Sequence, residues 1–148
     1  MEKDKCKQTE EALAEIYRNA QLAIESIVDI MPQVDDSQTK AELEAQHEEY
    51  ERFSAKAAML ARDKNIEIKE PNAFKKVMMW GSIKMNTLTN NSRSHIADMM
   101  VQGTVMGITA LRTTLNELTE QGDEEIVALL KEMITTEEKF EKKWKEFL

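Results

Sequence analysis

Apolar residues recur at alternating steps of three and four along most of this chain, the spacing of a helix face turned toward a core. The last segment places Ile126, Leu130, Met133, Glu137, Phe140, Trp144 and Phe147 on such a seam. Glu137 stands where the seam calls for an apolar side chain. A second segment runs Leu43, His47, Tyr50, Ser54, Ala57 and Ala61, and His47 is its polar member. If both seams face one core, the chain is a helical bundle that encloses an acid and a histidine.

The same periodicity, read with its breaks, predicts five helices. A polar leader over residues 1–8 is expected to be flexible. The first helix covers about 9–31, with Thr9 as N-cap and Pro32 as its stop, and carries Leu13, Tyr17, Ala20, Ile24, Ile27 and Met31. The link from Gln33 to Asp36 is short, which makes the next helix, about 37–64, an antiparallel neighbour. Pro71 fits the first turn of a helix over about 71–89. Asn90, Asn91 and Ser92 interrupt the pattern and cap a helix over about 92–121. Gly122 reads as a stop and Asp123 as the cap of the last helix, about 123–148. All of this fits one domain over 1–148.

Composition narrows the function classes. The chain is 41% hydrophobic but 5% aromatic, with four glycines and two prolines, which supports an all-α reading. The formal net charge of −8 argues against nucleic acid and anionic membranes as partners. No apolar run approaches the ~20 residues of a membrane span, and residues 1–8 lack the apolar stretch of a signal peptide. A cytoplasmic location is expected. The single cysteine, Cys6, allows neither an intrachain disulfide nor a cysteine metal cluster. No nucleophile elbow, phosphate loop, zinc-finger spacing or catalytic triad order is present, so an enzyme is not expected unless it borrows a metal.

The segment over 71–89 governs the topology. As a helix it would span ~27 Å, about the length of the bundle. It can return the chain to the starting end, so that the helices before and after it run parallel. Glu44-Ala-Gln-His47 has the Glu-x-x-His spacing of carboxylate-bearing bundles. With that spacing and that helix order, the stretch from Thr9 to Leu148 resembles the ferritin-like superfamily. Glu70-Pro71 through Trp80 and Ser94-His95-Ile96-Ala97-Asp98-Met99 are similar to small bacterial bundles related to rubrerythrin. The resemblance implies an all-α, ferritin-like four-helix bundle with an additional crossover helix between its second and third bundle helices.

It also implies where a metal would sit. Counting from the helix ends puts His47, Glu137, Gln102 or Gly103, and the stretch Asn19-Ala20-Gln21 in one central layer. This chain departs from the family pattern there. The first helix offers no acid, the third offers glutamine or glycine, and the last reads Glu137-Glu138-Lys139-Phe140, with phenylalanine in place of histidine. What remains is Glu44, His47 and Glu137, enough for one iron or zinc but not for a carboxylate-bridged pair. The preferred reading has no cofactor: His47 and Glu137 satisfy one another in the core and set the register of the layers. A reduced iron or zinc site at Glu44, His47 and Glu137, with redox or metal-handling work, is the alternative.

Other features point to packing. His95 and Asp98 lie in the first turn of their helix, two turns from the central layer, and His95 reads as a loop anchor. Methionines such as Met99, Met100 and Met106 fall at core spacing. Gly103-x-x-x-Gly107 permits close helix approach. The function expected is a non-catalytic structural or interaction module with a degenerate metal site. Its partner would be a second copy or another protein, met through a Met-rich, Trp80-bearing face of the crossover helix.

Overall fold

Asp36, Ser92 and Asp123 each start a helix by accepting hydrogen bonds from backbone N–H groups in its first turn. The computed structural model describes residues 2–68, 90–118 and 122–148. Among them every regular element is helical: α1 (Glu2–Ile30), a 3₁₀ turn (Met31–Gln33), α2 (Ser37–Asp63), α3 (Arg93–Glu117) and α4 (Glu124–Lys145). The helix expected over 71–89 lies outside the described residues, as does the Trp80 face expected to meet a partner.

Two boundaries differ from expectation. The first helix begins at Glu2, upstream of Thr9, because residues 2–8 contain strong helix formers and neither glycine nor proline. At the far end, α3 stops at Glu117, and Leu118 turns extended, with φ −71° and ψ 137°. At the end of α2, Asn65 takes the left-handed conformation, with φ 55°, and its N–H bonds Arg62 O. Asparagine tolerates that conformation better than most residues.

Polar contacts at the helix ends set the directions. At one end Arg93, opening α3, holds Asp36 with Nε and Nη2, each at 3.0 Å, and Gln38 at 2.6 Å. Asn91 donates to Gln33 O and to Asp35, both at 2.9 Å. The starts of α2 and α3 therefore share one end of the bundle. At the other end Lys64, just past α2, pairs with Asp123 at 2.8 Å and Glu125 at 3.2 Å, where α4 begins. Helices α2 and α3 thus run one way, and α1 and α4 the other. Residues 68 and 90 lie at opposite ends.

The interior is filled by Leu13, Ile16, Ile27, Leu43, Phe53, Ile96, Met100, Leu111, Leu130 and Trp144, all fully buried. At ~25 cal/mol per Å² of apolar surface, this burial is the dominant favourable term. Helix α1 touches all three of the others, so its buried stripe is wide: it includes Ala12, Ile16, Asn19, Ala23 and Ile30 beside the expected Leu13, Ala20 and Ile27. Tyr17, Ile24 and Met31, expected in the seam, are pushed to its flanks and are half-buried. Among the described residues no helix is long and apolar enough to cross a membrane.

Candidate functional site

One side chain or backbone position from each helix meets at mid-bundle. Glu137 of α4 is 1% exposed. Asn19 of α1 donates from Nδ2 to its Oε1 at 2.6 Å. Tyr50 of α2 donates from Oη to its Oε2 at 2.9 Å. Gly107 of α3 forms the fourth wall. A Cβ added there would lie 2.8 Å from both Asn19 Oδ1 and Glu137 Oε2. A side chain at this point would force the hydrogen-bonded Asn19 and Glu137 groups to shift.

Burial pushes the Glu137 carboxyl up to about 8, against the opposing effect of its bonds to Tyr50 and Asn19. At neutral pH it is chiefly the protonated acid. Burial, and then the neighbouring acid, hold the Tyr50 hydroxyl well above its ordinary range as well. The cluster therefore stores a proton rather than a charge. Loss of the tyrosine hydroxyl leaves Oε2 without this partner, so Tyr50→Phe is expected to cost ~1–3 kcal/mol, read by urea unfolding.

The structure corrects the expected His47–Glu137 pair. His47 lies on the shoulder of α2, its side chain 26% exposed, and its Nδ1 faces Glu51 Oε1 at 3.6 Å one turn along the same helix. Glu44 is exposed. The set Glu44, His47 and Glu137 does not converge, and among the described residues no group of three or more His, Cys, Asp or Glu side chains is placed to hold a metal ion. The physical reason is helical phase. The buried face of α2 passes from Leu43 to Gln46, Tyr50, Phe53 and Ala57, a step of three where the seam expected four.

Gln46 earns that inward place through hydrogen bonds. Its Oε1 accepts from Trp144 Nε1 at 2.9 Å, and its Nε2 donates to Glu42 at 2.9 Å. A second polar bridge, Gln21 Nε2 to Ser54 Oγ at 2.6 Å, ties α1 to α2 next to the acid. These contacts satisfy groups that would otherwise be costly to bury.

The central layer itself was foreseeable; two of its members were not. Glu137 stands where the seam placed it, and Asn19 lies at the counted height. The partner on α2 is Tyr50, three residues beyond His47, and the wall on α3 is Gly107, four beyond Gly103. A buried tyrosine must find a partner for its hydroxyl, and a mid-helix glycine opposite a polar seam residue signals lack of room. Read together, those two signals would have located the cluster. His95 only closes the N-cap of α3, its N–H bonding Ser92 Oγ at 3.3 Å. Asp98 accepts from Gln102 Nε2 at 3.0 Å on the surface.

Outside this layer, a groove of about 710 Å³ separates α2 from α4, with Arg52 and Glu132 across its floor. Arg52 is already paired with Glu49 at 2.8 Å and Glu132 at 3.0 Å, so its charges are spent within the groove. No protein-family model, no curated protein and no solved structure matches this chain.

Proposed function

We propose that this chain is a non-catalytic, ferritin-like helical bundle that serves as a structural or interaction module, with a hydrogen-bonded acid at the height where the superfamily holds metals. One observation carries the reading: both carboxyl oxygens of Glu137 are engaged by protein donors, Asn19 and Tyr50. A metal ligand must give up its proton and turn a lone pair to the ion. Here burial favours the protonated acid, and the candidate companions Glu44 and His47 face outward. The residues present do not fit an iron or zinc centre. The parallel course of α2 and α3 supports the crossover topology that this reading assumes.

The cluster's work in this reading is register. Its bonds join α1, α2 and α4, and the Gly107 notch admits only one height of α3 against them. Sliding any of the four helices by a turn would strand a buried polar group at a cost of ~1–3 kcal/mol. That is a specificity device of the kind buried polar groups supply in other bundles.

Elemental analysis of protein purified without chelators or a histidine tag tests the reading. Substoichiometric iron, zinc and manganese are expected, before and after anaerobic Fe(II) addition. One tightly held ion per chain, lost on Glu137→Gln substitution, would overturn it in favour of a metal-handling protein.

A further inference from the structure

The longest stretch without a charged residue, 99–111, lies in a chain of which 32% is charged, and it is bounded by Asp98 and Arg112. It forms the middle of α3. One side of it is core, but the other is open: Gln102, Val105 and Thr109 are exposed, and Val105 is 39% exposed. A charge-free outer face is unusual here, since the outer faces of α2 and α4 are dense in Glu, Lys and Arg.

This face can lose water at little cost. Threonines in a helix commonly turn the hydroxyl back to the carbonyl four residues earlier, and those of this face do so: Thr109 Oγ1 donates to Val105 O at 2.8 Å, and Thr113 Oγ1 to Thr109 O at 2.9 Å. Covering these side chains removes methyl groups and satisfied hydroxyls from water, without stranding a donor.

Charge supplies the second argument. Asp98 and Arg112 lie seven residues to either side of Val105, on the same helix ridge two turns away. Both are exposed. When two such helices meet antiparallel about Val105, the acid of each falls opposite the base of the other. A parallel pairing would set like charges together.

We propose that the outer face of α3, centred on Val105, is a self-complementary contact through which two copies of this chain pair antiparallel, with Asp98 of each facing the partner's Arg112. The contact is isologous, as a two-fold dimer requires. Within its own chain each of these two side chains already has a partner, Arg112 in Glu138 at 2.6 Å and Asp98 in Gln102 at 3.0 Å, so the contact across the axis shares groups that stay exposed rather than pairing free charges. A single helix face is smaller than the roughly 800 Å² per partner of a stable complex, so the dimer is concentration-dependent. The inference rests on the reading as an interaction module and names its partner.

Sedimentation velocity on the full chain, from micromolar to millimolar concentration, tests it. A monomer–dimer equilibrium is expected. Val105→Glu, at an exposed position where folding is checked by its thermal melt, should weaken it about tenfold or more by placing two like charges on the symmetry axis. Asp98→Arg alone and Arg112→Asp alone should each weaken it, and the two together should restore it, which marks the antiparallel register. A Val105→Cys, Cys6→Ser chain should form a disulfide-linked dimer under mild oxidation. A monomer at every concentration, or a dimer indifferent to Val105→Glu and to the charge swaps, would overturn the proposal. Metal stoichiometry is read separately, so the dimer and the non-metal reading fail independently.

Discussion

Replacing Glu137 by glutamine should remove a pH dependence of stability that the wild-type chain shows between about pH 4.5 and pH 8. The sign follows from the proton. The carboxyl's folded value is pushed up to about 8 from an ordinary 4.5, chiefly by burial. Below about 4.5, folded and unfolded chains both hold the proton, and the site carries no penalty. Between the two values the unfolded chain releases a proton that the folded chain keeps, so stability falls as pH rises. Above about 8 the folded acid also ionises, and the penalty becomes constant. The slope cannot exceed about 1.4 kcal/mol per pH unit, and the whole loss is bounded at roughly 5 kcal/mol. Glutamine keeps the geometry: its carbonyl accepts from Asn19, and its amide donates to Tyr50. Glu137→Gln should therefore be more stable than wild type at pH 8 and above, and close to it at pH 4.5. Urea titrations of both proteins across this range check the difference curve. Asp36 and Asp123 are held below their usual carboxylate range, Asp36 chiefly by its bonds to Arg93 and Thr39 and Asp123 by those to Lys64 and the α4 backbone, against burial. Their contributions are lost as pH falls through the acid range, outside this window, and they cancel in the comparison.

The second large effect is expected at Gly107. Alanine in a helix interior ordinarily gains about 1 kcal/mol over glycine. Here its Cβ would come within 2.8 Å of Glu137 Oε2 and Asn19 Oδ1, and 3.1 Å of Asn19 Nδ2. Asn19 Nδ2 is bonded to Glu137 Oε1 at 2.6 Å and Glu137 Oε2 to Tyr50 Oη at 2.9 Å, so neither side chain can shift without straining a buried hydrogen bond. Overpacking costs ~1–3 kcal/mol, and a stranded donor or acceptor adds ~1–3 kcal/mol. The two together outweigh the propensity gain, and Gly107→Ala should destabilise by roughly 1–5 kcal/mol at neutral pH. A double-mutant cycle gives the sharper check. In a Glu137→Ala background the same substitution finds part of its space cleared, so its cost should shrink markedly. Equal costs in both backgrounds would mean that the glycine answers to something other than the acid.

Both expectations concern a layer that was half visible before any tertiary contact. Glu137 announced itself because an acid interrupts an apolar seam, and periodicity alone makes that interruption legible. Asn19 fell within the right height by counting residues from helix ends. His47 failed because the seam of α2 admits two phases, and the choice between them depends on what lies opposite. Gln46 faces inward because Trp144, nearly a hundred residues away in the chain, presents an N–H that needs an acceptor. Once Gln46 is inside, His47 must turn toward Glu51 and water. No local pattern on α2 carries that information.

The amino-acid order by itself determined that the described residues are helical, where α2, α3 and α4 start, that α1 and α2 are antiparallel neighbours, and that an acid lies in the core. These follow from local causes: period, capping residues, proline and short links. The tertiary structure alone decided which groups surround that acid. Hydrogen-bond partners of a buried group are chosen by helix rotation and height, and both are set by packing among the described helices at once. That is why an expected acid–histidine pair became an acid held by an asparagine and a tyrosine against a glycine.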